Sequence, residues 1–376
     1  MKVRIPVIVT VAWAGALAAL GHAAEPTVRI GVQLPLTGER SSVGRLMGNG
    51  LQMAVEAINS RAGSIQLELT FADDASTPEG ARKAIDDLVK DPKIVCIIGE
   101  INSPLVLASV PVINAEKLPY LTAGTSPRTT AASEWVFRVG ASDAALTGLL
   151  AEYLANEMHI KTLAILHDKT GIHNQRAETI ADLLKRKYSI PTLVDATWAP
   201  GDRTFGRALQ QAKATPTDAI LALGETPEGG EFLKELAASG LRSQTIAQRD
   251  FGVRRVLDEA GAASNGTMIV TEYSPELQGG LTQAWNTNYG KRYGGDANII
   301  AAQYYDALML VAATVRAGGL TRSAIRTGLA GLKQFPGIVG EYTFDGSRDG
   351  IHRFFLTRVV DGRLSLLKTL TETPQP

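Results

Sequence analysis

The sequence predicts an α/β protein of two lobes, each a doubly wound parallel sheet flanked by helices. Three observations carry this reading. Short runs that are apolar on consecutive positions mark strands buried on both faces, as in a parallel sheet. Segments with helical spacing separate those runs, and strand starts recur roughly every 25–30 residues, the length of a βαβ unit. The chain has 376 residues, more than one hydrophobic core usually serves, which points to two lobes.

Taken in order, the strands are Val28 to Leu34, Leu67 to Ala72, Ile94 to Ile98, Thr162 to Leu166, Ala219 to Leu223 and Met268 to Val270. Leu51, Ala54, Val55 and Ile58 form a helical stripe after the first strand. Leu146, Leu149, Leu150, Tyr153 and Leu154 form a second, and Tyr305, Leu308, Ala312 and Val315 a third. Such stripes are read as core. The strand–helix alternation breaks after Val270, helices dominate to Tyr342, and the tail returns to strands at Tyr342 to Phe344 and Phe354 to Val360, with a turn at Asp361-Gly362. No low-complexity linker divides the chain, so the lobes share several crossings instead of standing as beads on a string.

The ends and the composition narrow the class. Lys2 and Arg4 precede an apolar stretch from Ile5 to Leu20, and Gly21 and Ala23 occupy the small positions a signal peptidase requires. Residues 1–23 are therefore expected to be a cleaved secretory signal peptide, which implies a periplasmic or otherwise exported protein. Without Lys2 and Arg4 the chain holds 36 basic against 38 acidic residues, a net charge of −2, with no basic run to attract nucleic acid. The single cysteine, Cys96, lies in an apolar run and is expected to be an inert buried thiol.

Enzyme signatures are absent: there is no phosphate-binding glycine loop, no GxSxG elbow and no HExxH. No cofactor and no metal are expected. His167 and His173 flank Asp168 in one loop, but no cysteine and no tight ligand spacing accompany them, so they are read as solvated loop histidines.

The informative segments are strand ends, where open α/β sheets bind ligands. Ser103 followed by Pro104 fits a helix N-cap and first position, whose unpaired N–H groups suit a carboxylate. A plain cap explains the same pair equally well. The next strand end reads Thr122-Ala123-Gly124-Thr125-Ser126-Pro127, small enough for a ligand to reach the backbone, with two hydroxyls on offer.

In their order and spacing, several segments resemble the periplasmic branched-chain amino-acid-binding family: Val28-Arg29-Ile30-Gly31-Val32 to Leu36-Thr37-Gly38, Gly48 to Asn59, Asp73-Asp74, Ile98-Gly99 with Ser103, Thr122 to Pro127, and Leu166-His167-Asp168-Lys169. The resemblance covers the whole chain beyond the leader. It implies a type I periplasmic-binding fold, with lobes of residues 24–140 plus 271–343 and 141–270 plus 344–376, joined by three hinge crossings near Gly140, Val270 and Phe344. It also implies a monomer that delivers a small solute to an ABC permease, or, with the same fold, a periplasmic sensor that signals to a partner protein. Ser103 and Thr125, with the backbone at Ala123 and Gly124, would grip a ligand carboxylate. Ile172, Glu225, Arg249 and Asp250 would line the facing wall. Where the amino-acid binders place an acid for the ligand ammonium, Arg249 stands here, beside Asp250. A guanidinium repels an ammonium and welcomes a carboxylate, which puts an organic or aromatic acid ahead of an unmodified branched-chain amino acid. A one-residue shift gives Asp250 the ammonium role, and Arg249 pairing with Asp250 or Glu225 is the structural alternative.

Overall fold

The computed structural model describes residues 27–61, 65–274, 276–295 and 297–373; the expected leader lies outside them. The first sheet comprises β1 (Thr27–Leu34), β2 (Gln66–Asp73), β3 (Ile94–Ile98), β4 (Tyr120–Thr122) and β5 (Val136–Arg138), all parallel, in the order β2-β1-β3-β4-β5. The second begins with five parallel strands, β6 (Leu163–Asp168), β7 (Thr192–Trp198), β8 (Ala219–Leu223), β9 (Gln244–Gln248) and β10 (Met268–Thr271). A two-stranded ladder, β11 (Phe335–Pro336) with β12 (Glu341–Tyr342), stands apart. The second sheet is completed by antiparallel β13 (Arg353–Val360) and β14 (Arg363–Thr371), giving the order β14-β13-β10-β9-β8-β6-β7. Asp361 and Gly362, both at positive φ, make the two-residue turn between β13 and β14.

Helices fill the connections: α1 (Ser41–Asn59), α2 (Pro78–Leu88), α3 (Ser103–Glu116) and α4 (Pro127–Ala131) on the first sheet. On the second lie α5 (Asp143–Asn156), α6 (Gly171–Tyr188), α7 (Gly206–Ala214), α8 (Thr226–Ala238) and α9 (Arg254–Ala260). The chain then returns to the first core through α10 (Gly280–Tyr293), α11 (Ile299–Arg316) and α12 (Arg322–Gly331). The helical stripes do what their spacing predicts. Leu51, Ala54 and Ile58 of α1 pack with Leu308, Ala312 and Val315 of α11 against Ile30 and Val32, while Leu150 and Leu154 of α5 pack against Leu163 and Ile165. Each such leucine removed from water contributes roughly 1.5–3 kcal/mol.

The cores mark where the chain changes body. Phe137, Phe344 and Ile351 belong to the first core, and Ala141 and Phe354 to the second. One buried carboxylate secures the first body beside these crossings. Asp306 on α11 accepts from the amides of Ile338 (2.7 Å) and Val339 (2.8 Å) and lies 3.0 Å from Tyr342 Oη, which is also 3.1 Å from the Val139 carbonyl. The Gln278 side chain donates to the Val339 carbonyl. Burial pushes the Asp306 carboxyl up to about 7.

Candidate functional site

The strand ends of the first body are built around buried polar groups, of which Glu100 keeps one carboxylate oxygen unmatched. Gly99, after β3, leaves room that a side chain would take from the Tyr120 ring, and Tyr120 Oη accepts from the Glu100 amide at 2.9 Å. The Glu100 carboxylate accepts from the amides of Ile101 and Asn102, both at 2.8 Å, just ahead of α3. Asn102, not Ser103, therefore occupies the N-cap position; Ser103 is the first helical residue, and its hydroxyl accepts from the Ser126 amide at 3.2 Å. The expected cap is displaced by one residue, and the Ser103 hydroxyl, instead of capping α3, ties the helix start to the 122–127 turn.

The turn from Thr122 to Pro127 is held from beneath by Arg138, which is fully buried. Its guanidinium forms an ion pair with Asp349 (2.6 Å) and donates to the carbonyls of Gly124 and Ser126 and to Thr130 Oγ1. Thr122 Oγ1 accepts from the Gly124 amide at 2.8 Å, which commits that hydroxyl to the turn itself. Ala123 is 1 % exposed, with Gly140 packed on its carbonyl, so the backbone expected to meet a ligand there serves the core. Thr125 faces the second body: its hydroxyl donates to Asp143 Oδ2 at 2.8 Å, and its carbonyl accepts from the Asp143 amide at 2.9 Å.

The second body presents charge. Arg249, in a short 3₁₀ turn after β9, pairs with the fully buried Glu272. Burial works against the Arg249 cation, yet the carboxylates of Glu272, Asp250 and Asp143 hold its pKa above the ordinary arginine value. This corrects the expectation that Arg249 pairs with Asp250 or Glu225, or stands free for an anion: its partner lies 23 residues ahead, at the end of the next strand. Arg176 on α6 binds Asp143 Oδ1 through Nε (3.0 Å) and donates through Nη1 to Gln248 Oε1 (3.0 Å). Glu225 and Asp250 neighbour each other after β8 and β9. Glu225 is exposed at the rim, and partial loss of water together with the Asp250 charge raises its carboxyl above the usual range. Ile172 is exposed at the start of α6.

The histidines overturn the sequence reading. His167 and His173 are 3 % and 1 % exposed, held by Asp195 (3.0 Å) and Asp168 (2.7 Å) respectively. Solvation was expected from a shared loop, but His167 lies in β6 and His173 in the first turn of α6, each with a carboxylate partner that permits burial. Burial alone would raise Asp168, yet hydrogen bonds from His173 and Thr170 bring its carboxyl below the usual value.

Between the bodies these residues bound a small recess of about 50 Å³ that opens to solvent. Thr125 comes from the first body and Asp143, Arg176, Gln248 and Arg249 from the second, above an apolar floor that includes Leu146, Leu150 and Ile180. Of the predicted residues, Thr125 and Arg249 border this recess; Ser103 and Gly124 adjoin Thr125, while Glu225, Asp250 and Ile172 sit outside it on the second body. Asp143, Arg176, Gln248 and Glu272 escaped sequence reading.

The sequence profile described as periplasmic binding protein matches residues 27–363. The chain belongs to that family. A relative within it, Leu/Ile/Val-binding protein homolog 2 of Brucella abortus (strain 2308), is 24% identical over 339 residues, 89% of this chain and 90% of the relative. Among solved structures, the branched-chain amino acid transporter substrate-binding protein LivJ from Streptococcus pneumoniae, in complex with isoleucine, superposes with a TM-score of 0.75 at 21% identity, over 93% of this chain and 100% of that one. A solute-binding protein of an ABC transporter from R. palustris, in complex with benzoate, superposes with a TM-score of 0.77 at 20% identity, over 93% and 98%. The periplasmic binding proteins of this type share the two-sheet α/β architecture described above, and among the described residues no helix is long and apolar enough to cross a membrane.

Proposed function

We propose that this chain is the solute-binding component of an ABC importer, that its two bodies close on a small solute bearing a carboxylate and an apolar portion, and that a membrane permease reads the closed form. The observation that carries this is the recess itself, which draws a hydroxyl from one body and two guanidinium groups from the other over an apolar floor. Closure then follows from contact of one solute with both bodies, which shifts the open–closed equilibrium by the difference in affinity between the two states.

The charges favour an α-amino acid as the solute. The lean toward an organic acid rested on an unpaired Arg249, and Glu272 already matches that charge. Glu225 and Asp250 have no such cationic match among the described ion pairs, and an ammonium placed near them relieves their repulsion. Titration calorimetry of the protein against leucine, phenylalanine, benzoate and a dicarboxylic acid tests this. Saturable heat with an amino acid and none with benzoate is the expected result. The reverse pattern makes Arg249 an anion receptor despite its pairing, and no binding to any of the four removes the carboxylate class.

A further inference from the structure

We propose that Glu100 and Asp74 share a single proton behind the strand ends of the first body, and that this proton couples the grip on a carboxylate solute to pH. Asp74 follows β2 and Glu100 follows β3; both are fully buried, and their carboxyl groups lie within hydrogen-bonding reach of one another. Glu100 Oε1 takes the amides of Ile101 and Asn102. Asp74 Oδ1 takes the Ser76 amide at 2.9 Å, and its Oδ2 has only a long contact, 3.4 Å, from Gln33 Nε2. Gln33 is oriented by Tyr120 Oη and Ser109 Oγ, which both donate to its Oε1. Glu100 Oε2 is left with no donor among the described residues. A buried carboxylate oxygen in that position is costly. A proton shared between the two carboxyl groups matches it.

The surroundings hold that proton in place. Loss of water, and then the Asp74 charge, push the Glu100 carboxyl up to about 8. Asp74 is raised too, by burial first, but the hydrogen bond from Glu100 opposes the rise, so the proton sits on Glu100 and the charge on Asp74. Arg40, ahead of α1, favours ionisation, whereas Asp73 beside Asp74 opposes it. Tyr120 of β4 and Tyr304 of α11 are neutral neighbours, since burial lifts both phenols well above their ordinary value. Glu100 also holds the two segments that reach toward the solute. Its carboxyl fixes the approach to Ser103, and its carbonyl accepts from Thr122 Oγ1 at 2.5 Å, at the base of the turn that carries Thr125. Loss of the proton sets two like charges side by side away from water and adds negative charge behind the helix start. A solute carboxylate is therefore held most tightly while the proton is present. Only this last step rests on the solute-binding reading.

The test has one arm without solute and one with it. Infrared spectra of the solute-free mature protein should contain a protonated-carboxyl band at about pH 7 that fades as pH rises past about 8, and E100Q should lack it. Glutamine reproduces the neutral acid: its oxygen serves the two amides and its nitrogen donates to Asp74. From about pH 7 to about pH 9 the folded wild type gives up a proton that the unfolded chain has already released, so its melting temperature should fall more than that of E100Q. Calorimetry with leucine, or with whichever of the four acids above binds, should show affinity falling roughly tenfold further in wild type than in E100Q over the same range. An equal band in wild type and E100Q overturns the shared proton. A band confined to wild type, with parallel affinity profiles in the two proteins, overturns its coupling to the solute. Absence of binding by all four acids removes that coupling together with the solute reading, and the infrared result still decides the proton.

Discussion

The two bodies meet the cleft with different chemistry. In the first, a buried guanidinium at Arg138 has an ion-pair partner and three further acceptors, and the turn it supports carries no net charge toward the cleft. In the second, Arg249 has a single described hydrogen bond, its partner Glu272 keeps one oxygen unmatched, and Asp168 does the same. A fully satisfied buried charge fixes geometry; a partly satisfied one retains interaction energy for something that arrives later. The turn over Arg138 is thus a preset platform. Glu272 and Asp168 of the second body, and Glu100 at the neighbouring strand end of the first, each keep a buried oxygen unmatched and are where a solute changes the electrostatic balance.

The largest effect that can break this contrast is Arg138→Met. It strands Asp349 and frees the 122–127 turn, and about 3–5 kcal/mol of stability should be lost in denaturant unfolding. A loss under about 1 kcal/mol would mean that the platform is not set by this cation. Arg249→Met leaves Glu272 uncompensated and should cost about 2–3 kcal/mol, less because Arg249 is a quarter exposed. Adding Glu272→Gln should return most of that loss. If R249M leaves stability unchanged and abolishes solute binding, Arg249 acts as a free cation after all.

A pH series sharpens the contrast from the first body's side. Tyr342 Oη has one proton for two acceptors, Asp306 and the Val139 carbonyl, so a proton on Asp306 completes the set. Its folded pKa of about 7 stands above the ordinary 3.8, so between those values the folded chain binds more protons than the unfolded one. Stability from this group is complete below that window and declines as pH rises through it. In D306N that declining limb should flatten, as followed by melting temperature against pH; an unchanged slope assigns it elsewhere. The smallest effect is expected of Thr125→Val. Its hydroxyl proton is committed to Asp143, so solute affinity should fall by only about 1 kcal/mol, whereas a loss several times larger would show that Asp143 gives way to the solute.

The sequence showed the local features and missed the distant ones. Consecutive apolar residues at Ile94 to Ile98 and Ala219 to Leu223 announced strands buried on both faces, and the stripe Leu308, Ala312, Val315 announced a core helix. The short strands β4 and β5, of three residues each, carry too little pattern to be read alone. At the site, Thr125 and Arg249 were visible because they close strand ends. Their partners were not: Arg138 and Asp349 are 211 residues apart, and nothing local ties Arg249 to Glu272. The burial of His173 was likewise invisible, because a loop signals solvent in a sequence, whereas the fold sets this residue in the first turn of α6 with a carboxylate partner.

The cluster at Asp306 also bears on the mechanics of the molecule. Val139, Gln278 and Val339 come from three separate stretches of the chain, and all are tethered to one patch of the first body. Such a frame has no slack, so a swing of the second body must be absorbed in the few residues beyond the tethers. Its pivot is then short, and the motion left to it follows one path.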